Sequence, residues 1–219
     1  MSHPQAAALE RGIAALGLTL PEAAPAQLLA YLDLIARWNQ VYNLTAVRDP
    51  QQMLTQHLLD CLAVVQPLRQ QAAALDHADD LRLLDVGSGA GLPGVVLAIA
   101  NPGWAITCVD TVAKKATFIR QVGAELGLRQ LQAVHQRVED MSTAPFSMIT
   151  SRAFASLVDF VHLTRERLAP GGCWAAMKAH LTDEERQAVP ADVEMFHVER
   201  LAVPGLDAER CIVWMRATV

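Results

Sequence analysis

One short run in the middle of the chain carries most of its chemistry: Asp85-Val86-Gly87-Ser88-Gly89-Ala90-Gly91-Leu92-Pro93-Gly94. It follows an apolar run, Leu81-Arg82-Leu83-Leu84-Asp85-Val86, and opens another that reaches Ala100. Glycines at such a turn let the backbone bend tightly and approach a ligand closely. A helix start there adds free N–H groups and a positive dipole end. Asp110 closes the next apolar run, where a carboxylate can accept both hydroxyls of a ribose. Two cofactors fit. A dinucleotide would set its pyrophosphate on the helix start, whereas S-adenosylmethionine would set its amino acid and ribose there. Asp85 favours the second, because its carboxylate repels a pyrophosphate and attracts an ammonium group. The candidate cofactor residues on this argument are Asp85, Gly87, Gly89, Gly91 and Asp110. The plain alternative is a tight turn with no ligand; the two acids at these places argue against it.

The elements that must position this turn can be read from periodicity. Residues up to about Leu68 read as helices. Leu28, Leu29, Leu32, Ile35 and Trp38 make one apolar helix face, and Asp49-Pro50 opens a further helix. Gln70 to Asp80 reads as a polar, alanine-rich linker. Strands are expected at Leu81–Val86, Ala105–Val109, Leu131–His135, Phe146–Thr150, Cys173–Lys178, Val193–Leu201 and Cys211–Arg216. Helices are expected between them at Thr111–Leu126 and Ser156–Leu168, with Pro170-Gly171-Gly172 as a turn and Thr182-x-x-Glu185 as a capping box. Strands alternating with helices imply an α/β sandwich of Rossmann-like class, with a mostly parallel seven-stranded sheet. The last two strands lack a helix between them and should form a hairpin, giving an antiparallel edge. Residues 1–70 are expected as a helical extension packed on the core, and residues 71–219 as the cofactor-binding domain.

Composition narrows the class. At 52% hydrophobic and 19% charged, the chain is neither disordered nor low-complexity. No apolar stretch is long enough for a bilayer and no signal peptide opens the chain, so a cytoplasmic protein is expected. Cys61, Cys108, Cys173 and Cys211 form no CxxC pair, so neither a metal site nor a disulfide framework is expected. A net charge of −5 argues against a general nucleic-acid binder but allows a local basic patch. Lys114, Lys115, Arg120, Arg137, Arg152, Arg165, Arg167 and Lys178 are read either as solvated surface or as one basic face.

Further segments extend the glycine motif in chain order: Asn43-Leu44-Thr45-Ala46-Val47-Arg48-Asp49-Pro50, His57-Leu58-Leu59-Asp60-Cys61, Lys114-Lys115, Arg137-Val138-Glu139, Ser151-Arg152-Ala153-Phe154-Ala155-Ser156, Met177-Lys178 and Glu209-Arg210. Together with Leu92-Pro93-Gly94 they resemble the bacterial RsmG (GidB) family, guanine-N7 methyltransferases of small-subunit (16S) ribosomal RNA. One departure is Ala179-His180, where the family usually has glycine. The resemblance implies methyl transfer from S-adenosylmethionine to one guanine near the decoding region. It implies cofactor contacts at Gly87, Leu92, Val138, Glu139 and Arg152, and an active-site set of Arg137, Arg152 and Arg210.

That chemistry agrees with the residues. Guanine N7 carries an in-plane lone pair and no proton, so it needs no general base, and positioning can supply most of the acceleration. An arginine donating to O6 or to a flanking phosphate would orient the base. No cysteine follows a proline, as cytosine-C5 enzymes need, and Thr150-Ser151-Arg152-Ala153-Phe154 lacks the Pro-Pro-aromatic turn of exocyclic-amine enzymes. A small-molecule methyltransferase and a non-catalytic dinucleotide module remain as rivals. Several residues carry plain readings. His57 and Asp60 read as an ordinary i, i+3 pair on a helix surface, and Trp38 with Tyr42 as packing. Phe154 reads equally as a base-stacking or a buried ring, and Lys178 as a site residue at the carboxyl end of its strand. A monomer acting on the assembled subunit is expected.

Overall fold

The computed structural model describes residues 3–77, 79–152, 154 and 156–218. The chain opens with helices α1 (Ala6–Ala15) and α2 (Ala24–Tyr42). A continuous three-part helix follows: α3 (Pro50–Met53), a π-helical stretch (Leu54–Leu59) and α4 (Asp60–Leu62). Then come α5 (Val65–Ala74), β1 (Arg82–Val86), α6 (Gly94–Ala100), β2 (Ala105–Asp110), α7 (Ala113–Glu125) and β3 (Leu131–His135). After a 3-10 turn (Val138–Asp140) the chain forms β4 (Phe146–Ser151), α8 (Leu157–Thr164), β5 (Leu168–Lys178), α9 (Asp183–Ala188), β6 (Val193–Arg200) and β7 (Cys211–Ala217).

The seven strands form one sheet in the order β3-β2-β1-β4-β5-β7-β6. The first five run parallel, and β7 runs antiparallel to both β5 and β6. The hairpin therefore slots β7 between β5 and β6. This has a consequence for the site: the amino end of β7 lies at the same sheet edge as the carboxyl ends of the parallel strands. The order reverses between β1 and β4, the place where open α/β sheets bind ligands.

Alternation along the strands separates two cores. Leu83, Ile106, Met148 and Ala175 face one side, packed against α2, α6 and α7. Leu84, Val109, Ile149 and Trp174 face the other, against α8. The N-terminal helices thus share a core with the sheet. Tyr31 on α2 is fully buried and donates to the Ala90 carbonyl at 2.6 Å, which clamps the glycine-rich turn from that side.

Some elements differ from expectation. The expected linker begins inside α5, because alanine favours helix and Leu68 and Ala72 bury one face. Helix α8 stops at Thr164 and gives way to a 3-10 turn, Arg165–Arg167. Pro170-Gly171-Gly172 lies within β5 as an irregularity: Phe146 pairs with Leu168, yet Met148 pairs with Cys173. Gly172 packs where a Cβ would lie 2.8 Å from the Ser147 carbonyl, so only glycine lets the backbones come this close. The capping box is present: Thr182 Oγ1 accepts from Glu185 N–H, and Glu185 accepts from Thr182 N–H.

Candidate active site

Two clefts open side by side on the carboxyl edge of the sheet. The first, of about 410 Å³, lies over β1, β2 and β3. Gly87 N–H donates to the Val109 carbonyl at 2.9 Å, tying the turn to β2. Gly87 has φ +67° and open space where a Cβ would stand, so the turn presents bare backbone to the cleft. Asp110 is buried at the rim of this turn. One of its oxygens accepts Gly89 N–H and the other accepts Val112 N–H, each at 2.9 Å, and Lys115 Nζ stands 3.5 Å away. Each oxygen keeps a lone pair to accept a further donor. Val138 and Glu139 line the opposite wall, with the Phe154 ring beside them. That ring packs on Phe160 at 5.4 Å between centroids.

Asp85 is placed differently from the sequence reading. It is fully buried beneath the turn and does not line the cleft. Its Oδ2 accepts Gly94 N–H at 2.9 Å, which caps the start of α6, and Cys108 Sγ lies 3.9 Å away. Gly94 is required there, since a Cβ would strike Cys108 Sγ and come within 2.8 Å of Asp85 Oδ2. Oδ1 is buried with no hydrogen-bond partner among the described residues. Burial pushes the Asp85 carboxyl up to about 7, against the opposing pull of Gly94 N–H. The Leu92 side chain is buried in the core, so only its backbone is open to the contact expected there. Of the expected cofactor residues, Gly87, Asp110, Val138 and Glu139 line the first cleft; Gly89 and Gly91 shape its turn.

The second cleft, of about 370 Å³, gathers Thr45, His57, Asp60, Arg152, Lys178 and Arg210. Its centre is Asp60. One carboxylate oxygen lies 3.3 Å from Arg152 Nη1 and the other accepts Arg210 Nε at 2.9 Å. Arg152 Nη1 also donates to the Gln56 carbonyl at 2.8 Å, within the π-helical stretch. Topology explains the meeting. Arg152 follows the end of β4. Arg210 precedes β7, whose antiparallel course brings Cys211 opposite Lys178 at the end of β5. Asp60 reaches both from the N-terminal helices, and a buried carboxylate needs such partners.

His57 makes no hydrogen bond to Asp60. Its Nε2 shares a hydrogen bond with Thr45 Oγ1 at 3.1 Å, and Thr45 N–H in turn donates to Asn39 Oδ1 at 3.0 Å. Burial first, and the Arg152 charge second, bring the His57 imidazole down to about 4, so it is neutral near pH 7. The expected surface pair of His57 and Asp60 is thereby corrected: both are buried, in different hydrogen-bond systems.

The expected arginine set divides. Arg152 and Arg210 share Asp60, and Arg152 lines this cleft and not the first. Arg137 stands apart on the rim of the first cleft, exposed, and donates to Glu139 Oε1 through Nε at 2.9 Å and Nη2 at 2.5 Å. It follows β3, three strand spacings from β4, or about 14 Å. Of the two readings of the basic residues, solvated surface or one basic face, the single face is not formed. Arg165 and Arg167 precede β5 and so lie at the opposite sheet edge from Lys178. Most of the others are neutralised, Lys115 by Asp110 and Lys178 by Glu185 at 2.5 Å. Lys178 does line the second cleft, and Trp38 and Tyr42 pack at 4.9 Å, with Trp38 against Phe118. Among the described residues no group of acids, histidines and cysteines is placed to hold a metal ion.

Asp60, Thr45 and Tyr31 were missed as site residues. Asp60 alone had a signal. It interrupts an otherwise apolar run, Leu58-Leu59-Asp60-Cys61-Leu62, and a charge at such a place must be buried and paired.

Comparison with known proteins bears on both clefts. A family model described as rRNA small subunit methyltransferase G matches residues 24–213. The ribosomal RNA small subunit methyltransferase G of Leptothrix cholodnii is 62% identical over 214 residues, covering 98% of this chain and 96% of that protein. Its counterpart in Methylibium petroleiphilum is 62% identical over 207 residues, covering 94% and 92%. Among solved structures, TrmN from Thermus thermophilus aligns with a TM-score of 0.55 at 16% identity, over 75% of this chain and 53% of that one, a likeness of fold. The family match runs from α2 into β7 and so takes in every wall of both clefts, which places this chain in the rRNA small subunit methyltransferase G (GidB) family.

Proposed function

We infer that this protein transfers a methyl group from S-adenosylmethionine to N7 of a guanine in small-subunit ribosomal RNA. The observation that carries this reading is the pairing of the two clefts: one with acids and bare backbone, the other with two guanidiniums held on one buried carboxylate. The first fits the cofactor. Asp110 and Glu139 would accept ribose hydroxyls or adenine donors, and Gly87 would let the ligand lie on the backbone, while the buried Asp85 supports the turn from beneath by capping α6. Bound S-adenosylmethionine supplies an electrophilic sulfonium methyl.

The second cleft does the rest by orientation. N7 attacks with a lone pair and gives up no proton, so no base is needed, and the neutral His57, engaged with Thr45, is not poised as one. Arg152 and Arg210 would donate to O6 and to phosphate oxygen. Neither should donate to N7 in the reactive pose, since that would occupy the attacking lone pair. Asp60 fixes the direction of both forks. On this reading residues 71–219 hold the cofactor, and residues 1–70 form an extension whose Asp60, His57 and Thr45 complete the guanine cleft.

The protein would act as a cytoplasmic monomer on the assembled subunit. Its net charge of −5 disfavours naked RNA as sole partner, and only Val41 and Tyr42 are exposed large hydrophobic residues among those described. No described helix is long and apolar enough to cross a membrane. Nucleoside mass spectrometry of small-subunit RNA from cells with and without the gene tests the reaction. Loss of one N7-methylguanosine per RNA is expected, and an unchanged level overturns the assignment. Equal rates on naked RNA and assembled particles would remove the particle requirement.

A further inference from the structure

The second cleft does not end at Arg210. A groove of about 470 Å³ continues from it between α9, β6 and the start of β7, sharing Ala179, Leu201, Arg210 and Cys211 with it. Arg186 of α9 and Arg200 at the end of β6 line this groove, with His180 beside them and Glu209 as its one carboxylate. Both arginines are exposed. Arg200 makes no side-chain hydrogen bond or ion pair among the described residues. The contact of Arg186 is a weak one, Nη1 to Met195 Sδ at 3.6 Å. Arg137 and Arg216 are neutralised by Glu139 and Glu194, and Arg165 by Asp192, whereas Arg11, Arg82, Arg120 and Arg129 are exposed without a carboxylate but line neither cleft nor this groove. In a protein of net negative charge, these two unneutralised forks stand beside the cleft that already holds Arg210.

We propose that this groove binds the RNA backbone next to the target guanine, with Arg186 and Arg200 on successive phosphates. The inference rests on the reading of the second cleft as the guanine site. A guanine reaching that cleft leaves its stack, and its flanking backbone must run along the protein surface. Strand pairing gives the direction. Cys211 lies opposite Lys178 on one side and Arg200 on the other, so the donors step outward across the sheet edge from Arg210 toward β6. A guanidinium meets phosphate bidentately and matches a chain of phosphates better than a lysine would.

The test is the double variant Arg186→Ala/Arg200→Ala, assayed on small subunits from cells lacking the gene. KM for the subunit is expected to rise about tenfold, with kcat and S-adenosylhomocysteine affinity unchanged. Filter binding of naked small-subunit RNA should lose about 1.4 from its salt slope, at about 0.7 per phosphate contact. Arg186→Lys/Arg200→Lys should restore most of both. A control pair outside the groove, Arg11→Ala/Arg129→Ala, removes the same charge and should change neither. An unchanged KM and slope overturn the proposal, as does an equal loss in the control pair. A raised KM on subunits with an unchanged slope on naked RNA also overturns it, and gives the groove to a ribosomal protein. The salt slope is read from binding alone. A wild-type protein that methylates no small-subunit RNA would therefore sink the functional reading while leaving this groove separately measured.

Discussion

The first cleft takes its walls mainly from the ends of three successive strands, and its shape depends on backbone: a glycine turn, and N–H groups gathered by Asp110. The second takes its walls from segments far apart in the chain. Asp60 meets Arg152 across 92 positions and Arg210 across 150. Its shape depends on charge, with one buried carboxylate holding two guanidiniums. A backbone site tolerates loss of a side chain but not the gain of one. A charge-held site behaves in the opposite way.

The sharpest way to break this comparison is Asp60→Ala. With the carboxylate gone, two guanidiniums lose their partner. The expected cost is about 3 kcal/mol of stability, at the lower end for buried pairs because both arginines are a quarter exposed, and thermal melts measure it. Methyl transfer should fall further than in any other single variant of either cleft. Arg152→Ala comes next, with kcat down about 100-fold through misplacement of the base. Calorimetry should find S-adenosylhomocysteine affinity unchanged in this variant; a lost affinity would return Arg152 to the cofactor cleft and blur the two sites into one.

Acidity separates the buried support of the first cleft from the wall of the second by sign. Asp85, raised to about 7, favours the protonated form when folded, so its contribution to stability falls as pH rises from about 4 to 7. His57, lowered to about 4, favours the neutral form when folded, so its contribution falls as pH drops from 6.5 to about 4. Across that shared window the two oppose each other. Asp85→Asn should leave stability rising with pH relative to wild type, and His57→Gln should leave it falling, each by at most about 1.4 kcal/mol per pH unit. Urea denaturation from pH 4.5 to 6.5 reads both, and parallel profiles for the two variants would contradict the assignment. The smallest effect is expected from Tyr31→Phe. It removes one neutral hydrogen bond to Ala90, about 1 kcal/mol, and should weaken cofactor binding only severalfold.

The same contrast explains what could be read in the residues beforehand. The first cleft was largely legible, because a left-handed backbone demands glycine and the turn is contiguous in sequence. The alternation of strands and helices located the sheet and the edge on which both clefts open. The second cleft was legible only as isolated arginines whose importance came from resemblance. Which acid they share follows from β7 entering antiparallel beside β5 and from a π-helical stretch around His57, and neither leaves a local pattern. The burial of Asp85 was missed for a related reason. A carboxylate before a glycine turn reads as ligand-facing, whereas here it caps α6 from below. The glycines within β5 read as a turn because their requirement, close approach to Ser147, comes from a neighbouring strand.

The Asp60 clamp has a consequence for turnover. One carboxylate against Arg152 and Arg210 leaves the cleft a surplus of one positive charge, since Lys178 is balanced by Glu185. On the proposed reading guanine enters neutral, and its O6 and phosphates would welcome that surplus. Once methylated at N7 the ring is itself a cation, and the same field that drew the base in would oppose its staying. The pocket would thus carry its own means of eviction, and modified subunits should be poor inhibitors of the enzyme that modified them.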